Sequence, residues 1–151
     1  MKNLAVFRHR FVIRIFSCLR SRCICARNAT TKLFNNDRSG KVDQTPPFDK
    51  PGLVKTGDNE YQLNIVASAF AYTPNQVEIP KGAKVTINVA TKDVIHGFQI
   101  VGTNVNMMVE PGYVSSYTQT FDKVGEYVIL CNEYCGAGHH LMTSKVKVVE
   151  Q

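Results

Sequence analysis

From Glu60 onward the sequence is a series of short runs rich in β-branched and aromatic residues, separated by turn signals. The run that begins at Tyr61 alternates polar and apolar residues, as a half-buried strand does. Similar runs cover residues 77–79, 85–89, 94–101, 114–121, 127–130 and 146–149. Short strands at this spacing predict an all-β domain, a Greek-key sandwich or barrel, and no long helical period competes with them.

The net charge of +6 is unevenly distributed along the chain. Residues 1–40 carry nine basic residues against one acidic residue, a net charge of +8, and they include all seven arginines. Residues 41–151 carry nine lysines against eleven acidic residues, a net charge of −2. The basic character therefore belongs to the N-terminal segment, and we expect no nucleic-acid-binding surface on the domain.

The composition divides the chain into three segments. Residues 1–40 form a basic, poorly structured tail, interpreted as a transit peptide, a degenerate membrane anchor or an artefactual start. Its most apolar stretch, residues 11–19, is short and interrupted by Arg14, so it does not predict a transmembrane helix. Residues 41–59 are rich in proline and glycine and predict a linker, which leaves residues 60–151 as the domain.

Two thiols, two imidazoles and a thioether occur together in Cys131-Asn-Glu-Tyr-Cys135-Gly-Ala-Gly-His139-His140-Leu-Met142. Soft sulfur ligands combined with imidazole favour copper. If residues 127–130 and 146–149 are neighbouring strands, this loop lies at one end of the domain, and His96 reaches the same end from another strand. The sequence therefore predicts a metal site built from a loop and a distant histidine.

The spacing alone leaves other interpretations open. Cys131 and Cys135 could form a disulfide, or they could bind a tetrahedral zinc ion together with His96 and His139. One cysteine, two histidines and an axial methionine would make a mononuclear blue-copper site, which has no use for a second cysteine. Either His139 or His140 could be an ordinary surface histidine, and one of this adjacent pair is expected to be.

The run Asp93-Val-Ile-His96-Gly-Phe, together with the Cys-x3-Cys-x3-His-x2-Met loop, closely resembles subunit II of cytochrome c oxidase, above all its bacterial and archaeal B-type members. The resemblance covers about residues 60–151. It implies a cupredoxin-like fold that holds a binuclear copper A centre. It also implies a set of six metal ligands: the bridging thiolates of Cys131 and Cys135, His96 and His139, the thioether of Met142, and the backbone carbonyl of Glu133.

The same resemblance implies the electron-entry subunit of an oxidoreductase, passing electrons from cytochrome c to subunit I, where oxygen is reduced. It places the soluble domain on the extracytoplasmic face of a cell membrane, held there through the complex. The Glu133 side chain is expected to help hold magnesium at the contact with subunit I. The alternative function is a non-catalytic cupredoxin that binds or delivers copper.

Several residues near the ligands are expected to contribute to the surroundings of the copper site. Phe98, Tyr134 and Leu141 are predicted to form a dry apolar shell, although each could equally be ordinary core. Phe70 matches an aromatic position near the face where the electron donor docks, and packing within a strand is the competing interpretation. The chain contains no tryptophan, so electron entry would depend on an apolar docking patch.

Overall fold

The computed structural model of the chain describes residues 29–32 and 41–150. Within this part of the chain, eleven strands follow one another with short connections. Their bounds are β1 Ala29–Lys32, β2 Gly52–Gly57, β3 Glu60–Ser68, β4 Ala71–Thr73, β5 Gln76–Pro80, β6 Lys84–Thr91, β7 His96–Ile100, β8 Asn106–Val109, β9 Tyr113–Thr120, β10 Gly125–Leu130 and β11 Thr143–Val149. A single 3-10 turn, His139–Leu141, interrupts the connection between β10 and β11.

The strands form two sheets. One has the order β1-β9-β6-β3-β2, with β4 added to β3, and the other has the order β5-β11-β10-β7-β8. The pairs β3/β6 and β5/β11 are parallel, whereas the other pairs are antiparallel. The all-β prediction is confirmed, and each of the seven predicted runs overlaps a strand, although the runs at 94–101 and 114–121 extend beyond β7 and β9. Strands β1, β2, β4 and β8 were not predicted.

The core lies between the two sheets and follows the period of two that an extended chain imposes. In β3, Leu63 and Ile65 are fully buried, and they lie beside the equally buried Ile87 and Val89 of the parallel neighbour β6. The second sheet contributes a matching apolar face, which includes Ile129 of β10. Because both inner faces are close-packed, the ends of the strands are held in a stiff frame.

Residues 41–59, predicted as a linker, are packed against the domain in the structure. Val42 and Phe48 are each 1% exposed and form a small second cluster with Val66 and Ala90. Strand β2 pairs with β3 in the same segment. The prediction of a linker therefore needs correction. The prolines and glycines belong to a folded segment, and the apolar residues of this segment cover the outer face of the first sheet.

Most of the basic tail lies outside the described residues, so its interpretation as a transit peptide or anchor stays a prediction. The exception is β1, which pairs antiparallel with β9 at the edge of the first sheet. The expectation of a poorly structured tail therefore needs correction at residues 29–32. Within the described part of the chain, no helix has the length and apolar content needed to cross a bilayer.

Candidate metal centre

The metal-ligand loop projects from one end of the second sheet, as the sequence predicted. Strands β10 and β11 are antiparallel neighbours, paired from Gly125 with Val148 to Leu130 with Thr143. The loop at residues 131–142 joins them, and a hydrogen bond from the Cys131 amide to the Met142 carbonyl (3.3 Å) closes its base. Strand β7 lies on the other side of β10, so its first residue, His96, reaches the same end of the sheet.

Three of the predicted ligands form a compact buried cluster. One ligand atom from each of His96, Cys131 and Cys135 lies within 4.8 Å of the other two. The Sγ atoms of the two cysteines are 3.7 Å apart, and both thiols are free. His96 is fully buried, and each cysteine is 8% exposed. The structure therefore has two reduced thiols and an imidazole facing one another, not a disulfide.

The other three predicted ligands lie around this cluster. The Met142 Sδ atom is 3.7 Å from Cys135 Sγ, and Met142 is 1% exposed. The His139 Nδ1 atom is also 3.7 Å from Cys135 Sγ. The Glu133 carbonyl oxygen is 3.2 Å from Cys131 Sγ. All six residues are thus brought together, and their role as ligands stays a prediction.

The His96 ring is held so that one nitrogen is available to a ligand. Its Nε2 atom lies 2.8 Å from the Asp93 Oδ1 atom, whereas its buried Nδ1 atom has no hydrogen-bond partner. A buried polar atom without a partner is costly, so such atoms in folded proteins usually have a function. A carboxylate that accepts the Nε2 proton leaves Nδ1 with a lone pair, as in many histidine–metal sites. The donor set and this orphaned nitrogen fit a copper ion.

Burial and hydrogen bonding act differently on the ionisable groups of the site. Burial raises the pKa of Cys135 to about 11, and the neighbouring Cys131 thiol adds to this effect. Burial also acts to raise the pKa of Asp93, but hydrogen bonds from His96 and from two backbone amides outweigh it and lower that pKa below its ordinary value. The metal-free Cys135 thiol is therefore protonated at neutral pH, beside an ionised Asp93, and a metal must displace its proton.

The loop lies directly on β7 at Gly97. A Cβ atom at this position would be 2.7 Å from the Asn132 amide nitrogen and 2.8 Å from that of Glu133. The buried Tyr72 hydroxyl donates a hydrogen bond to the Gly97 carbonyl, and its ring meets the Phe98 ring edge-on at 5.5 Å. Glycine is needed here because only a residue without a side chain allows the loop backbone to approach so closely.

Sequence reasoning missed the roles of Asp93, Gly97 and Tyr72. Asp93 and Gly97 stand within the quoted histidine motif, and an aspartate three residues before a metal-binding histidine is a signal that could have indicated a hydrogen-bond partner. Tyr72 lies 25 residues from Gly97 along the chain, and no local pattern connects the two.

The predicted dry shell is correct only in part. Phe98 is fully buried, but Tyr134 and Leu141 are 75% and 70% exposed, so the prediction is wrong for these two residues. Tyr134 instead lines an open, mainly apolar groove next to Cys135, with Val94 and Ile95 on its other side. The two residues are exposed because the loop leaves the sheet and turns their side chains outward. His140 is also exposed, as expected.

Comparison with known proteins gives consistent results. Residues 58–149 match the family model described as cytochrome C oxidase subunit II, periplasmic domain. Cytochrome c oxidase subunit 2 of Thermus thermophilus is 45% identical over 111 residues, which cover 72% of this chain and 82% of the relative.

Solved structures agree with this comparison. A cryo-EM structure of a heme-copper terminal oxidase dimer contains a similar chain, with a TM-score of 0.66, 35% identity and coverage of 80% of this chain and 79% of that one. The periplasmic domain of subunit II of the Bradyrhizobium japonicum oxidase has a TM-score of 0.56 at 20% identity, covering 60% of this chain and 84% of that domain. At that identity the likeness concerns the fold alone, and it confirms the cupredoxin-like architecture.

Proposed function

The chain belongs to the cytochrome c oxidase subunit II family, and on this premise we propose that it accepts electrons from cytochrome c at a binuclear copper A centre and delivers them to subunit I. Subunit II is the electron-entry subunit of the haem-copper oxidase, an oxidoreductase complex. Membership of the family implies copper binding and association with subunit I. The two-copper stoichiometry, the ligand set and the donor are the content of the proposal.

The observation that carries the proposal is the pair of buried, reduced thiols 3.7 Å apart, clustered with the buried His96 imidazole, whose Nδ1 atom has no hydrogen-bond partner. A mononuclear blue-copper site needs only one thiolate and gives the second cysteine no role. A tetrahedral zinc site would use both cysteines, but it would leave the Met142 thioether beside Cys135 without a role. Two bridging thiolates with imidazole and thioether ligands account for every donor present.

The residues divide the work of holding the metal pair. The thiolates of Cys131 and Cys135 would bridge the two metals. The imidazoles of His96 and His139 would each bind one metal. The Met142 thioether and the Glu133 carbonyl would be weak ligands. When bound, the copper pair supplies a one-electron couple whose charge is shared between two metals. The weak ligands adjust the reduction potential without imposing a geometry.

The protein frame keeps this ligand set nearly unchanged between oxidation states. His96 and Cys131 lie at the ends of paired strands, and Met142 is anchored at the base of the loop by its contact with the Cys131 amide. The cysteines and Met142 are almost entirely buried, so little water has to reorganise when charge arrives. A preorganised set of ligands supported by rigid strands is what a fast electron-transfer site requires.

A magnesium or similar ion at the contact with subunit I is a further part of the proposal. Glu133 is exposed, and it lines a pocket whose other residues are partly polar (Asn106 and Asn132) and partly apolar (Met107 and Met108). Carboxylate and amide oxygens are ligands that magnesium accepts, usually with water or a partner completing the shell. The pocket would therefore need groups from subunit I to hold the ion.

The domain belongs to the extracytoplasmic side of the membrane, since the matching family model is that of a periplasmic domain. We propose that the complex with subunit I holds it at the membrane surface. The predicted anchor or transit segment is residues 1–40, of which the structure describes only residues 29–32, so this part stays a prediction.

The decisive experiment is reconstitution of the chain with copper, followed by metal analysis and by absorption and electron paramagnetic resonance spectroscopy. We expect two copper ions per chain, a purple colour and an unpaired electron shared by both nuclei. Cys135→Ser should abolish the shared-electron signal, whereas Cys23→Ser, in the tail, should leave it intact. A single copper ion, or a shared signal that survives in Cys135→Ser, would refute the binuclear assignment.

The same preparation separates electron transfer from copper delivery. An electron-transfer site requires a reversible one-electron couple and tightly held metal. A copper-delivery protein would instead hold copper(I) that a chelator removes readily, and it would show no reversible couple. Voltammetry and chelator competition on the loaded chain therefore distinguish the two functions.

A further inference from the structure

The Asp93 carboxylate uses both of its oxygen atoms, and each serves a different segment of the site. Oδ1 accepts hydrogen bonds from the Val94 amide (2.7 Å) and from His96 Nε2 (2.8 Å), with the Thr91 hydroxyl also within reach at 3.1 Å. This oxygen therefore faces the strand that carries His96. It holds the imidazole in the tautomer that leaves Nδ1 free.

The second oxygen reaches a different part of the fold. Asp93 Oδ2 accepts a hydrogen bond of 2.7 Å from the Ala69 amide, in the tight turn between β3 and β4. The Asp93 side chain is 34% exposed, so this contact is partly shielded from water. Hydrogen bonds to an ionised carboxylate are stronger than those between neutral groups. One carboxylate thus ties the turn at Ala69 to the segment that carries His96.

The ring of Phe70, the next residue in that turn, packs against the metal-ligand loop. A Cβ atom on Gly136 would lie 3.0 Å from the Phe70 ring, and one on Gly138 would lie 2.6 Å from its Cγ atom. The ring is therefore pressed against the loop backbone between Cys135 and His139. Two glycines in this stretch make the close contact possible, and the position of the ring fixes how closely the loop backbone approaches the turn between β3 and β4.

We propose that Asp93 is a positioning residue that couples the two halves of the ligand set, His96 on one side and the Cys135–His139 stretch on the other. One oxygen sets the orientation of His96, and the other holds the turn whose phenylalanine supports the loop. The proposal deepens the proposed copper function, on which it rests for its purpose. The coupling itself exists in the metal-free chain and can be measured there.

Asp93→Asn and Asp93→Ala separate the two contacts. In Asp93→Asn, the side-chain oxygen should keep accepting from His96 and Val94, because that orientation satisfies two donors whereas the opposite one satisfies only Ala69. The side-chain NH2 group then points toward the Ala69 N–H. Two donors then face each other, so only the contact with the turn is lost. Asp93→Ala removes both contacts. Asp122→Asn, an exposed aspartate of the β9–β10 connection, is the matched control.

The readouts are nitrogen chemical shifts of the His96 ring and hydrogen exchange of loop amides, both in copper-free protein. The amides of His139, Leu141 and Met142 are hydrogen-bonded within the loop and report on its stability. We expect Asp93→Asn to keep the His96 tautomer but to accelerate loop exchange several-fold. Asp93→Ala should mix the tautomers and accelerate exchange as well, and it should weaken copper binding roughly 10- to 100-fold. Asp122→Asn should change none of these.

Two results would overturn the proposal. If Asp93→Ala leaves the tautomer and the loop exchange as in the wild type, Asp93 positions nothing. If both Asp93 variants leave loop exchange unchanged, the coupling to the loop is absent. Should Asp93→Ala fail to fold, Phe70→Leu tests the same path, since it keeps the Asp93 contacts and removes the ring. Its loop amides must exchange faster with the His96 tautomer unchanged, and unaltered exchange refutes the coupling. All of these readouts are independent of the copper stoichiometry that tests the proposed function.

Discussion

Gly97 is the position where adding one carbon atom should disturb the candidate metal centre most directly. Its Cβ would lie 2.7 Å and 2.8 Å from the backbone nitrogens of Asn132 and Glu133, and it would also meet the Asn132 side-chain oxygen. The side-chain oxygen can rotate away, at the expense of the hydrogen bond between Asn132 and Asn106. The backbone nitrogens cannot, so the loop itself must retreat in Gly97→Ala.

The size of the effect follows from ordinary contact distances. A carbon atom packs against its neighbours at about 3.5 Å, so the loop backbone must move by about 0.7 Å. Overpacking of this kind costs about 1–3 kcal/mol, which for a domain of this size lowers the melting temperature by on the order of 5–15 °C. The Glu133 carbonyl, 3.2 Å from Cys131 Sγ, would move with the backbone. A displacement beyond about 0.5 Å exceeds the tolerance of a preorganised site.

The assay compares thermal unfolding of the metal-free chain and the absorption spectrum after copper loading. Gly57→Ala is the matched control, because a Cβ there meets only Glu60 atoms, at 3.7 Å, an ordinary contact distance. Neither glycine has a positive φ, so the pair tests space alone and not backbone strain. We expect Gly57→Ala to be neutral and Gly97→Ala to melt earlier with an altered spectrum. Equal melting temperatures and identical spectra in the two variants would refute the close approach.

Three further outcomes test individual ligands. Met142→Leu, a swap of similar volume, should cost less than about 1.5 kcal/mol and keep both coppers while shifting the midpoint potential in voltammetry; loss of a copper ion would contradict a weak-ligand role. His139→Ala should lower the copper content and the exposed His140→Ala should not, so equal copper content would contradict the assignment. Burial raises the pKa of Cys135 from its ordinary 9.0 to about 11, so the folded thiol keeps its proton where the unfolded one loses it. Urea unfolding should then show the metal-free chain losing stability from about pH 9 to pH 11, less so in Cys135→Ser, and a flat profile would argue against the raised pKa.

Local periodicity was sufficient to predict most of the strands. The predicted runs overlap β3, β5, β6, β7, β9, β10 and β11, where alternation or a β-branched run produces a clear signal. Strands β4 and β8 are short, at three and four residues, and the six-residue strand β2 begins and ends with glycine; all three are ordered by pairing with longer neighbours. Their sequences carry little pattern of their own, so tertiary context decides them.

The segment at residues 41–59 is a second case in which the local sequence did not predict the structure. Val42 and Phe48 stand among prolines and charged residues, a composition typical of a linker. They are buried because the outer face of the first sheet offers Val66 and Ala90 as apolar partners, and an ion pair connects Asp43 of this segment to Lys92, which follows β6 (2.8 Å). Nothing in residues 41–59 indicates that such a surface exists elsewhere in the chain.

The sequence by itself determined the class of fold and the set of candidate ligands in the loop, because side-chain alternation and residue spacing are properties of neighbouring residues. The spacing of Cys131, Cys135, His139 and Met142 within one loop already predicts a soft-metal site. Only the tertiary structure decided how His96 is oriented, how Gly97 admits the loop and how Asp93 reaches the turn at Ala69, 24 residues away. These contacts join segments that are distant along the chain. The packing of the two sheets decides which of these segments meet, and the local sequence pattern does not show it.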